Sequence, residues 1–238
     1  MSSRFFTTEA LVIGSMRYGE ADRILTLYTR DRGKLSAIAK GVRRTKSKVG
    51  GRLEPYALVQ VSLHAGRGLY TVCGVETVRT FQAIRDELFR MEEGALLLGA
   101  VRHLFPAEEG SIPAFNLLVR GVAWLAEASD ACTAAAVVLA VRLKLLVLLG
   151  YAPGTEHCAA CGAVHEAYGF SPRLGGVVCE TCAVDGAGSC LALSSGGLAT
   201  LRTLLEGPLA QIPDLELDER ATAEVQQVLT HTLAYHGH

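Results

Sequence analysis

Apolar and polar residues alternate in short runs over roughly the first eighty positions, and from Phe81 onward the apolar residues recur instead at intervals of three and four. Period two is the signature of strands with one buried face, and period 3.6 that of amphipathic helices. The first regime predicts five strands. Ala10 to Ser15 is one. Arg23 to Thr29 and Lys34 to Ala39 flank the turn Asp31, Arg32, Gly33 and read as a hairpin; Ala57 to His64 and Leu69 to Val75 flank Gly66, Arg67, Gly68 and read as a second. Five short strands with a long connection between the third and fourth fit a small closed barrel. The oligonucleotide-binding (OB) fold is the common barrel of that size whose loops and faces take up polymers.

In the second regime, Phe81, Ile84, Leu88, Met91, Ala95, Leu98, Val101, Leu104 and Phe105 predict one amphipathic helix ending before Pro106. Ala114 to Glu127 is a second. Ala131 to Leu149 is apolar almost all round and should be the central helix of a bundle. After Ser194 and Ser195, which are suitable caps, Gly196 to Glu206 and then Glu219 to Ala234 are again helical. His157 to Cys190 has neither period and is rich in Gly and Cys, as expected of a small insert held by metal. The fold class expected is α+β: an OB-fold barrel over residues 1–80 and a helical domain over 81–238, interrupted at about 155–190 by a four-cysteine insert.

Length and composition, 238 residues with half of them hydrophobic and a fifth charged, are those of a globular chain that buries a real core. The run from Ala131 to Gly150 raises the question of a bilayer span, but Arg142 and Lys144 lie inside it and favour a buried core helix. No apolar block of signal-peptide type follows Arg4, so a reducing cytoplasmic setting is expected, where cysteines mean thiols or metal. The formal net charge of −1 hides an asymmetry. Residues 1–80 carry 14 Lys or Arg against 6 Asp or Glu, while the remainder carries 9 against 18. Lys40, Arg43, Arg44, Lys46, Lys48 and Arg52 follow one another without an acidic residue between them, with Arg30 and Lys34 nearby. Such a run is either a solvated loop or a polyanion-binding face, and the flanking strands favour the second. Tyr28, Tyr56 and Tyr70 are candidates to stack on bases, the alternative being burial in the barrel core.

Cys158 and Cys161 form one C-x-x-C pair and Cys179 and Cys182 another, seventeen residues apart. Two such knuckles close a tetrahedral four-thiolate site, which has no open position and predicts one structural zinc ion and no hydrolysis. A redox dithiol, an iron–sulfur cluster and four unrelated core cysteines are the rival readings. His157 and His165 are expected at the surface, and Cys73 and Cys132 as buried small hydrophobes; Cys190 is a spare thiol near the site. Gly14 and Gly19 have the gap of a phosphate-binding loop, but Glu20 and Ala21 stand where Lys and Ser or Thr are required. No catalytic motif is present, and no case for an enzyme arises. A zinc-ribbon module contacting protein or RNA is the alternative class.

Three runs carry a resemblance: Tyr18, Gly19, Glu20, Ala21, Asp22, Arg23 with Gly33, Lys34, Leu35; then Lys40, Gly41, Val42, Arg43, Arg44; then Leu53, Glu54, Pro55. In order and spacing they resemble the RecO family of bacterial recombination mediators, and the barrel, bundle and four-cysteine insert fit its layout. The resemblance implies a non-enzymatic DNA-repair protein of the cytoplasm and nucleoid. Such a protein binds single- and double-stranded DNA, anneals complementary strands, and works with RecR and single-stranded-DNA-binding protein to help load RecA. The bundle and its acidic surface would be the protein-contact half.

Overall fold

The computed structural model describes residues 5–44, 50–164, 169–184 and 190–236. The chain divides into two compact units, Met1–Glu127 and Ala128–His238.

The first unit holds strands β1 (Phe5–Tyr18), β2 (Asp22–Thr29), β3 (Gly33–Ala39), β4 (Leu58–Ala65) and β5 (Tyr70–Arg79), closed into a barrel in the order β1-β2-β3-β5-β4. All five predicted strands are present, and the long connection lies between β3 and β4 as expected. Neighbours are antiparallel except β3 and β5, which meet in parallel through only Ala37–Tyr70 and Ile38–Thr71. β1 outruns its predicted span at both ends because it pairs with β4 from Phe5 and with β2 as far as Tyr18. Alternate residues fill the interior, among them Val12, Leu25, Leu27, Leu35, Val59, Val61 and Leu63. Burying each such side chain contributes about 1.5–3 kcal/mol. Gly14 and Gly19, spaced like a phosphate loop, have mechanical roles instead: Gly14 sits at the register shift that curves β1, and Gly19 turns the β1–β2 hairpin at φ +54°.

Helices α1 (Ala83–Asp86), α2 (Leu88–Leu104) and α3 (Ile112–Glu127) complete the unit. The single helix expected from Phe81 to Phe105 is broken at Glu87, whose backbone is extended. Side-chain periodicity continues through a break that only φ and ψ record, and Arg90 Nη1 bonds the Ala83 carbonyl at 3.2 Å across it. Tyr28 on β2 meets Phe105 edge-on at 5.3 Å and lies parallel to Phe115 of α3. The β1 residues Leu11 and Ile13, which alternate with the interior ones, are fully buried as well.

In the second unit α4 (Ala131–Leu148) is the central helix, packed on α6 (Ser195–Glu206), the 3-10 turn Leu209–Asp214 and α7 (Glu219–His236). By length and composition α4 could cross a membrane, yet 61 % of it is buried within the protein. Its cations have partners inside the unit: Arg142 reaches Gln226, and Lys144 Nζ bonds the carbonyls of Leu205 and Gly207 at 2.8 and 2.7 Å, closing the end of α6. Asp130 caps α4 and Ser194 caps α6, each accepting an amide proton of the first turn. Between α4 and α6 lie β6 (Gly169–Ser171), β7 (Gly176–Val178), α5 (Glu180–Val184) and β8 (Leu191–Ala192), the strands forming a sheet of order β7-β6-β8.

Candidate nucleic-acid interface and metal centre

Three of the segments that carry the family resemblance, Tyr18 to Arg23, Lys40 to Arg44 and Leu53 to Pro55, meet at one corner of the barrel, while Gly33, Lys34 and Leu35 lie at the other end of the β2–β3 hairpin. Gly19 closes the β1–β2 hairpin, and the residues after β3 fold against its tip: Arg43 N–H donates to the Ala21 carbonyl at 2.9 Å, and Gly41 N–H to Asp22 Oδ1 at 2.7 Å. Gly41 takes φ +66°, the left-handed conformation that suits glycine, so that the Arg44 amide can turn back to its carbonyl. From the far side of the β3–β4 connection, Glu54 Oε1 accepts from Arg23 Nη1 at 2.6 Å. The tip is thus tied at Ala21, Asp22 and Arg23 to Arg43, Gly41 and Glu54 in turn. Lys40, Arg43 and Arg44 are exposed there, as are Arg17 and Tyr18 of the hairpin.

The other predicted basic residues do not all join this corner: Arg30 and Lys34 lie at the opposite end of the β2–β3 hairpin. Arg52 is exposed and its Nη1 touches the Val75 carbonyl; Arg30, in the β2–β3 turn, faces Glu9 at 3.5 Å. Lys34 is half-buried, its ammonium held by the carbonyl of Arg102, and burial lowers its pKa. Lys46 and Lys48 lie outside the described residues, as does His165. Between the end of β3 and β5 runs a groove of about 190 Å³ lined by Lys40, Val42, Val72, Cys73 and Val75.

The tyrosines sort differently from expectation. Tyr28 is buried against Phe105 and Phe115, and burial pushes its hydroxyl up to about 12. Tyr56 is buried with its ring laid on Gly94 of α2, where a side chain of any size would collide with it. Neither can stack on a base. Tyr70 is half-buried, edge-on to Phe6 and bonded through its hydroxyl to Glu108. The aromatic ring that does face solvent at the basic corner is Tyr18, missed because the strand pattern of β1 ended before it.

In the second unit the four predicted thiols come together: the Sγ atoms of Cys158, Cys161, Cys179 and Cys182 all lie within 4.8 Å of one another. Thiolates at ~2.3 Å from a common zinc stand about 3.8 Å apart, so the set fits a tetrahedral ion. The first knuckle is a turn in which Gly162, at φ +74°, donates to the Cys158 carbonyl at 2.8 Å. Ala159 N–H bonds Val177 of β7 at 2.8 Å, which places this knuckle over the strand that delivers Cys179; α5 then carries Cys182. The amides of Cys179, Cys161 and Ala160 point at the Cys158 sulfur and pull its pKa down to about 6. Cys182 is pushed up to about 12, first by its bond to the Cys179 sulfur, then by burial and the other thiols. Four crowded thiols favour a proton on the last one; a bound cation relieves that repulsion. His157 is exposed as expected, but Cys73 and Cys132 are exposed too, not buried: Cys73 lies on the outer side of β5, and Cys132 in the solvated first turn of α4. Cys190 packs against the cluster.

A closed five-stranded barrel with exposed cations, in one chain with a helical region that carries four clustered thiols able to hold a metal ion, defines a two-part protein. Residues 1–81 match the family Recombination protein O N terminal, and residues 86–237 match Recombination protein O C terminal. The chain belongs to the RecO family of DNA repair proteins. It is similar to DNA repair protein RecO of Rubrobacter xylanophilus, 37 % identical over 97 % of this chain and 92 % of that one. The RecO proteins of a Nocardioides species, 37 % identical over 97 % and 92 %, and of Pelotomaculum thermopropionicum, 34 % identical over 98 % and 90 %, are similar along nearly their whole length.

Proposed function

We propose that the protein is a non-enzymatic recombination mediator of the bacterial cytoplasm and nucleoid. It binds single- and double-stranded DNA on the basic corner of the barrel and anneals complementary strands. With RecR it helps replace single-stranded-DNA-binding protein by RecA. The observation that carries the reading is the tethering of Gly41 and Arg43 to the β1–β2 tip, which holds the segment with the exposed Lys40, Arg43 and Arg44 on the barrel surface of a family whose relatives are named DNA repair proteins. Arg52 adds to this field beside Val75 of β5, Lys46 and Lys48 belong to the same basic run of the sequence, and Arg30 and Lys34 add charge at the opposite end of the β2–β3 hairpin. These contacts neutralise phosphates and read no sequence. The barrel domain over residues 1–80 is the DNA-binding module, and the helical domain over 81–238 with its acidic surface is the protein-contact half. Cys158, Cys161, Cys179 and Cys182 hold one zinc ion that serves structure alone.

The test is a salt titration combined with a strand-annealing assay. Each phosphate contact on a single strand contributes about −0.7 to the slope of log affinity against log salt, so a Lys40→Ala, Arg43→Ala, Arg44→Ala variant should flatten the slope by roughly two units. It should do so equally on two unrelated oligonucleotides and anneal complementary strands more slowly, with an unchanged thermal melt. Wild-type protein that anneals nothing, or a variant with an unchanged slope, contradicts the proposal.

A further inference from the structure

We infer that Tyr18 is a base-stacking residue that makes the basic corner prefer unpaired strands. This rests on the reading of that corner as a DNA-binding surface and names the form of DNA it selects. Tyr18 ends β1, paired with Asp22 across the hairpin, and Gly19 turns the chain immediately after it. Beyond Gly14 the hairpin projects from the barrel, so Met16, Arg17 and Tyr18 are all exposed, and Tyr18 keeps 52 % of its surface in solvent. Its ring takes part in no aromatic or cation–π pair among the described residues, unlike those of Tyr28 and Tyr70.

Half of the Tyr18 surface is open to a partner, and its mount is tied down. The bonds of Ala21, Asp22 and Arg23 to Arg43, Gly41 and Glu54 fix the hairpin tip, and the same bonds place the exposed Arg43 and Arg44 beside it. Arg43 Nη1 reaches the carbonyl of Gly19, the residue next to Tyr18. An exposed ring one residue from the carbonyl that the Arg43 guanidinium touches is an arrangement that takes a nucleotide of a single strand: the cation on the phosphate, the ring on the face of the base. Within a duplex the base faces are already stacked and unavailable, so the ring adds affinity only where the strand is open. Because every base has a π-face, the preference is for strand state and not for sequence.

The experiment uses the full chain and measures affinity for a single-stranded oligonucleotide and for a long duplex of the same composition, with Tyr18→Ala, Tyr18→Phe and Tyr18→Trp. Loss of one stacked base predicts that Tyr18→Ala weakens single-strand binding about 5- to 150-fold. Duplex affinity should stay within about twofold and the salt slope should not change, because no phosphate contact is removed. Tyr18→Phe should bind like wild type, and the indole of Tyr18→Trp should be quenched on adding single strands and not on adding duplex. Equal binding by Tyr18→Ala and wild type overturns the inference. So does a Phe variant as weak as the Ala variant, which would point to the hydroxyl, or an equal loss on both DNA forms with a changed slope, which would point to a displaced corner. Wild-type protein that binds neither DNA refutes the underlying functional reading instead, so the two failures are separable.

Discussion

At the scale of single residues, the environment of an aromatic ring decides its role, and strand propensity does not reveal that environment. Tyr28, Tyr56 and Tyr18 all stand within or next to strand segments of the sequence, yet the first two fill the space between the barrel and its helices while the third stands in solvent. Tyr28 has the cost of this assignment on view: its hydroxyl is buried with no hydrogen-bond partner among the described residues. An unsatisfied buried hydroxyl costs about 1–3 kcal/mol, so Tyr28→Phe, which keeps the ring and its contacts with Phe105 and Phe115, should stabilise the protein by about 1 kcal/mol. For a chain of this size that is a rise of about 2–4 °C in Tm, read by calorimetry on the purified variant. A lower Tm would show that the hydroxyl is satisfied. The four metal-site cysteines were legible because ligand spacing is itself the local geometry of a knuckle. Cys73 and Cys132 were not, since a lone cysteine carries no pattern and its usual burial is only a tendency.

At the scale of elements, the barrel was readable where alternation was clean and unreadable where a segment serves an edge. The β3–β5 seam has only two residue pairs, and the start of β3 is covered instead by the chain after α2: Ala107 pairs with Lys34, and Glu108 N–H donates to the Lys34 carbonyl at 3.0 Å. Residues 106–110, Pro-Ala-Glu-Glu-Gly, have no strand pattern, so nothing local announces this contact. Two glycines make the approach close enough. A Cβ on Gly110 would overlap the Asp31 carbonyl, and one on Gly33, at φ +65°, would overlap that of Glu109. Gly110→Ala should therefore cost about 1–3 kcal/mol through overpacking, and Gly33→Ala at least as much because its backbone conformation also disfavours a Cβ. The two substitutions separate the same pair of chain segments. The double variant should accordingly lose less than the sum of the singles, with the shortfall measured by denaturant midpoints in a double-mutant cycle. Strict additivity would show that the two glycines act independently.

At the scale of the whole molecule, the two sequence regions carry opposite charges, as the proposed division into a DNA-binding and a protein-contact half requires. Residues 1–80 carry a net +8 and hold the basic corner, while the remainder carries −9 and holds the thiol centre. The sequence separated these regions by charge and period alone, but it did not show that the unit containing the barrel extends through α3 to Glu127, because packing of α1–α3 against strands has no signature in their own periodicity. The thiol centre belongs to the other unit, and its bonds run to β7 and to its own knuckles, with Val178 and Cys190 packed around it. Metal binding should then be coupled to the folding of residues 155–190 and not to the barrel. Removing the ion from the full chain with a strong chelator should release about one equivalent of zinc and expose the amides of the β6–β7 hairpin to hydrogen exchange. The amides of β1 to β5 should stay protected, and affinity for single-stranded DNA should change by less than about twofold. A Cys179→Ser variant should reproduce that pattern without chelator, since it removes one thiolate and the anchor at the end of β7. Loss of DNA binding in step with loss of metal would mean instead that the thiol insert takes part in the nucleic-acid surface, and full metal occupancy in Cys179→Ser would mean that these four sulfurs are not the ligand set.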